Sequence, residues 1–104
     1  MRKRRYEILL PLKHNDGSPI PDELLEQTRE EIVNQFDGVT FFPQTIIGTW
    51  VQAGARFEDE LVRILVEVEE SAENHQFFVQ FKKTLLERFG QLEIYIAFYP
   101  VDIL

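Results

Sequence analysis

Residues 22–41, DELLEQTREEIVNQFDGVTF, and residues 75–94, HQFFVQFKKTLLERFGQLEI, carry the same apolar pattern 53 residues apart. Leu24, Leu25, Ile32, Val33 and Phe36 fall on Phe77, Phe78, Leu85, Leu86 and Phe89. Val39 and Phe41 fall on Leu92 and Ile94. Working outward, a shift of 56 lays Ile8, Leu10 and Leu12 on Ile64, Val66 and Val68, so the first crossover is about three residues longer. Identity across the repeat is low. The pattern is that of two similar βαβ units.

The elements follow from local signals. Tyr6, Ile8, Leu10 and Leu12 alternate along a first strand at about Arg5 to Lys13. A loop of turn-forming residues, His14 to Pro21, leads to a helix near residues 22–37 with Gly38 as its left-handed stop. A second strand begins at Val39, turns at Ala53-Gly54, and returns as a third strand ending near Val68. Ser71 suits an N-cap for a helix near 72–89, with Phe78, Phe81, Leu85 and Phe89 on its inner stripe and Gly90 at its end. Leu92, Ile94, Ile96 and Phe98 are expected to face the helices from a fourth strand. This predicts a ferredoxin-like α+β sandwich of order βαββαβ. Its antiparallel four-stranded sheet runs 4-1-3-2, with both helices on one face. Strand 2 is then an edge, where Pro43 is tolerated.

At 104 residues the chain reads as one domain, residues 6–104, behind a basic tail, residues 1–5. The net charge is −7, and four of the 11 basic residues are Arg2, Lys3, Arg4 and Arg5. The remainder carries 7 basic against 18 acidic residues, a net −11 that repels phosphate backbones and argues against nucleic acid. No run is apolar enough for a membrane span. The lack of cysteine fits a cytoplasmic protein without disulfides or thiolate metal sites.

Pairing strands 2 and 3 about Ala53-Gly54 makes paired residue numbers sum to 107, placing Phe41 against Val66, Ile46 against Leu61 and Trp50 against Phe57. Trp50 and Phe57 then lie on the open face, in a hairpin of residues 48–59 that overhangs the sheet. Leu9, Leu65, Tyr95, Ala97 and Arg63 share that face. A contiguous apolar patch of this kind marks an interface, most simply with a second copy of the chain. The plainer reading is a bulge at Pro43 that swaps faces and tucks Trp50 into the core. Trp50, Glu60, His14 and Gln91 are expected to gather at the hairpin end of the sheet, the candidate binding site for a partner or small ligand. Alternation puts Glu60 on the helix side and Arg63 on the open side, against a direct pair.

Gly48-x-Trp50, Gly54, Glu60 three residues before Arg63, and Phe89-x-Gln91, preceded by Phe36-x-Gly38, form a sparse signature. It resembles a family of short bacterial proteins of unknown function with the same strand and helix order, over residues 6–95. The resemblance implies the ferredoxin-like fold and no chemistry.

The usual chemistries lack their residues. The two histidines, His14 and His75, fall at opposite ends of the sheet, so no metal site is expected. There is no nucleophile elbow and no Gly-rich phosphate loop, so no cofactor is expected either. Strand 3 lacks the stacking aromatics and basic residues of an RNA-recognition sheet. The expected function is a homo-oligomeric interaction or small-ligand-binding domain that uses its open sheet face and the hairpin between strands 2 and 3, with a homodimer as the expected assembly. The alternative is a small cofactor-independent enzyme of the dimeric α+β barrel kind, using Tyr95, Trp50, Arg63, Glu60 and His14.

Overall fold

A computed structural model describes residues 2–104. The elements run β1 (Lys3–Pro11), α1 (Asp22–Phe36), β2 (Thr40–Gln52), β3 (Ala55–Glu69), α2 (Ala72–Arg88) and β4 (Tyr95–Val101). The sheet order is β2-β3-β1-β4, with every neighbouring pair antiparallel. This is the ferredoxin-like sandwich that the repeat predicts.

Alternation sorts the sheet's two faces. Tyr6, Ile8 and Leu10 of β1, and Val62, Ile64, Val66 and Val68 of β3, are all buried. They pack against Leu25 and Ile32 of α1, and Phe78, Phe81 and Leu85 of α2. Period-2 strands and period-3.6 helices here bury one common core. Beside it, Tyr6 stacks on Phe78 with centroids 3.8 Å apart, and its hydroxyl bonds His75 Nδ1 at 2.9 Å. Burial raises the Tyr6 pKa above its ordinary 10.0. The unfolded chain therefore releases this proton first, and stability falls as pH rises past about 10. Alkaline unfolding monitored by far-UV dichroism should start above pH 10, and Tyr6→Phe should remove this contribution to the slope.

Helix termini follow sequence chemistry with one shift. The Ser71 hydroxyl accepts from the Asn74 N–H at 3.0 Å. At the other end of α2, Gly90 has φ +60°, Gly90 N–H donates to Glu87 O, and Gln91 N–H to Leu86 O. This is a Schellman stop. For α1 the left-handed residue is Asp37, with φ 62°, rather than the expected Gly38.

Three further expectations are corrected. β1 starts at Lys3, so the basic run is not a tail: Arg4 bonds Glu70 at 2.5 Å and Arg5 pairs with Glu67 at 3.3 Å. Leu92 lies outside β4 and is fully exposed, because the tight stop after α2 lets the chain enter the core at Ile94 instead. Phe98 does face the helices as expected, stacked on Tyr6 at 5.4 Å, and is half-exposed because it lies on an edge strand. The third correction is register.

From Gln52↔Ala55 to Ile46↔Leu61 the paired numbers sum to 107, but Phe42↔Arg63, Phe41↔Ile64 and Thr40↔Leu65 sum to 105. Residues 43–45 of β2 therefore span a single residue of β3. Two extra residues preserve alternation, whereas one would invert it. Pro43 thus marks an irregularity without swapping faces. Trp50 stays opposite Phe57 on the open side rather than entering the core.

The hairpin turn has two residues, Ala53 (φ 52°) and Gly54 (φ 78°). A two-residue loop with positive φ at both positions is the I′ geometry that matches strand twist. Alanine is strained there, so Ala53→Asn should stabilise the hairpin by up to about 1 kcal/mol, read as a rise in denaturant midpoint.

Candidate hairpin interface

β1 stops at Pro11, opposite Leu61, and the last link is Leu12 N–H donating to Glu60 O at 3.0 Å. Beyond that point only β2 and β3 continue. The residues from Ala55 to Glu60 carry the hairpin about 20 Å past the sheet. It accounts for much of the 44 Å long axis of a molecule 30 × 24 Å across.

This ribbon has apolar residues on both faces. On the open side Trp50 stacks on Phe57 with centroids 4.6 Å apart, and Trp50 Nε1 donates to Asp59 Oδ2 at 2.9 Å. Trp50 is 44% exposed and Phe57 42%. On the reverse side Ile47 is 56% exposed and Val51 69%. A two-stranded hairpin is marginal by itself, and exposing apolar side chains on both faces adds to its cost.

The sheet's open face differs from the apolar patch expected. Arg63 Nε lies 2.7 Å from Glu7 Oε1, and the Arg63 guanidinium stands 4.8 Å from the Phe42 ring centroid. Arg5 pairs with Glu67, and the adjacent Tyr99 hydroxyl helps raise the Arg5 pKa. Leu65 sits among these long side chains, between Thr40 and Glu7, and is only 7% exposed. Its surface is already covered within the single chain. Leu9 is partly buried and Tyr95, opposite it, is exposed.

The remaining residues of the expected cluster take separate partners. Glu60 pairs with Lys13 at 2.5 Å, and not with Arg63. Gln91 Nε2 donates to Phe89 O at 3.1 Å. His14 sits in the first loop, its Nδ1 about 4.0 Å from where a Cβ on Gly90 would stand. Asp16 closes that loop by accepting from the Ser18 hydroxyl and N–H, and these bonds lower its pKa. Trp50 lies further out along the hairpin, four pairs beyond Leu61. Two surface grooves among the described residues lie away from this cluster. One of about 600 Å³ lies along α2 beside Glu31, with Phe77 and Phe81 in its wall. One of about 200 Å³ lies near Gly38 and Glu67. Neither is lined by Trp50, Glu60, His14 or Gln91. Among the described residues, no three His, Asp or Glu side chains are grouped to hold a metal.

No protein-family model matches the chain, and no curated protein matches it. Solved structures do share its fold. The divalent cation tolerance protein CutA1 of Thermus thermophilus superposes with TM-score 0.66 at 15% identity, over 95% of this chain and 84% of that one. CutA1 from Oryza sativa gives 0.67 at 10% identity, over 98% and 82%. A phage SAM lyase in complex with S-methyl-5′-thioadenosine gives 0.66 at 19% identity, over 97% and 90%. At such identities the likeness establishes the ferredoxin-like architecture alone.

Residues 38–55 contain no charged residue, although 28% of the whole chain is charged. That run is legible in the sequence. Its meaning emerges only once β2 is placed at the edge of the sheet.

Proposed function

We propose that this protein is a self-associating domain whose overhanging β2–β3 hairpin docks on further copies of the same chain. The observation that carries this reading is the hairpin itself, a ribbon with Ile47, Trp50, Val51 and Phe57 exposed across two faces. Burying them would offset the cost of holding two strands away from the core. An acidic chain of net charge −7 resists contact with itself almost everywhere, and this uncharged segment is where that repulsion is weakest. The absence of cysteine fits action in the cytoplasm. The enzyme alternative needs a pocket with convergent polar groups, whereas Glu60, Trp50 and Arg63 are engaged with Lys13, Asp59 and Glu7 and His14 sits in the first loop.

Light scattering after gel filtration at tens of micromolar should give a multiple of the 12.3 kDa chain mass. Trp50→Glu should reduce that mass while leaving helical dichroism intact, since the side chain lies outside the core. A wild-type monomer with a quencher-accessible Trp50 would overturn the reading.

A further inference from the structure

The distribution of charge among the four strands is inverted from the usual one. Natural sheets place charges on edge strands to prevent other strands from adding there. Here the inner strands carry the charges: Lys3, Arg4, Arg5 and Glu7 on β1, and Arg56, Glu58, Asp59, Glu60, Arg63, Glu67 and Glu69 on β3. Both edge strands, β2 (TFFPQTIIGTWVQ) and β4 (YIAFYPV), have none. Each edge therefore offers uncharged backbone for strand addition clear of its proline, Ile46–Gln52 of β2 beyond Pro43 and Tyr95–Tyr99 of β4 before Pro100.

Exposed apolar side chains concentrate at the same two places. One group is on the hairpin. The other follows the β4 edge, with Tyr95 56% exposed and Phe98 48%, flanked by Leu92 and Ile103. The two groups lie at opposite edges of the sheet. The regular run of β2 beyond its irregularity, Ile46–Gln52, has the same length as β4, Tyr95–Val101.

From this we infer that the occupant of the β2 edge is the β4 edge of a second copy, a head-to-tail contact that repeats into a closed ring. The inference rests on the self-association proposed above and specifies its symmetry. A two-fold hairpin-to-hairpin contact would cover one apolar group and leave the β4 group in water. A β4-to-β4 contact would do the reverse. One head-to-tail contact covers both, and backbone hydrogen bonds between the added strands supply further affinity. Such an interface is heterologous, so closure takes three or more copies, whereas a two-fold pair is isologous.

The test uses the full chain and two variants at exposed positions, Val51→Glu on the hairpin and Tyr95→Glu on β4. Each alone should be a folded 12.3 kDa monomer where the wild type is a ring. Mixed, they should form a one-to-one heterodimer, because Val51→Glu retains a sound β4 edge and Tyr95→Glu a sound hairpin. If Tyr95→Glu keeps the wild-type mass, or if the wild type is a dimer, the head-to-tail arrangement is overturned while self-association survives. If the wild type is monomeric, both fall. Hydrogen exchange on the wild type provides a readout independent of folding in the variants. Outward amides of both Ile46–Gln52 and Tyr95–Val101 should be protected, and fast exchange along β4 alone would refute the ring.

Discussion

Phe89→Ala should destabilise the fold by about 3–5 kcal/mol, a large part of the ~5–15 kcal/mol that holds a domain of this size together. Phe89 is fully buried at the C-terminal end of α2, in the cluster that includes Leu85 and Ile94. Its truncation removes a ring from water-free packing and leaves a cavity that the Schellman stop, fixed by Gly90, prevents from collapsing. Thermal unfolding should fall by more than about 12 °C. The repeat places Phe36 at the equivalent position of α1, but there the ring is only partly buried. It stacks on Phe78 at 5.4 Å and meets Phe77 edge-on at 5.1 Å. Phe36→Ala should therefore cost about half as much. Equal costs for the two would show that the units are energetically symmetric, contrary to this packing.

That contrast shows what periodicity conveys. It assigns Leu25, Ile32, Phe78, Phe81 and Leu85 to one core because helix and strand periods are local properties of the backbone. It cannot grade burial between Phe36 and Phe89, which depends on how far the sheet extends beneath each helix end. Register failed for a similar reason. Summing to 107 holds only while the ladder is regular, and nothing in the letters around Pro43 distinguishes one extra residue from two. The parity of Trp50 survived because the insertion is even.

The site was less legible. Trp50 opposite Phe57 follows from turn position and alternation alone. The open face does not, because Leu65 is covered by the settled positions of Arg63, Glu7 and Phe42, which are cooperative choices of long side chains. Likewise the gathering of Trp50, Glu60, His14 and Gln91 assumed that sharing one end of a sheet means sharing a site. An overhang of about 20 Å separates residues that topology alone places together. Leu65→Glu, which a purely apolar face would make a test of association, is now a test of folding.

Arg88→Ala should destabilise the protein by about 2–3 kcal/mol, a large effect for an ion pair. Arg88 ties the two helices together near the end of α2. Its Nη1 donates to the Thr28 hydroxyl at 2.9 Å and its Nη2 to Glu31 Oε2 at 3.0 Å. Thr28 is fully buried, and its own hydroxyl proton goes to Leu24 O at 2.8 Å. The hydroxyl can therefore only accept from Arg88, and no other donor is placed to replace it. The Arg88 side chain is 10% exposed but that of Glu31 is 37%, so water screens the carboxylate partly and the cost stays below that of a fully buried pair. Arg88→Lys should recover less than half of the loss, since one ammonium cannot span Thr28 and Glu31 as the guanidinium fork does. Thr28→Val takes away the acceptor of Arg88 Nη1 and leaves that N–H without its partner, so it should cost about 1–3 kcal/mol while keeping the Arg88–Glu31 pair. A double-mutant cycle between Arg88→Ala and Glu31→Gln, read by urea unfolding, isolates the charged component. A coupling near zero would mean that Arg88 acts through its buried stem and Thr28, with the carboxylate a bystander.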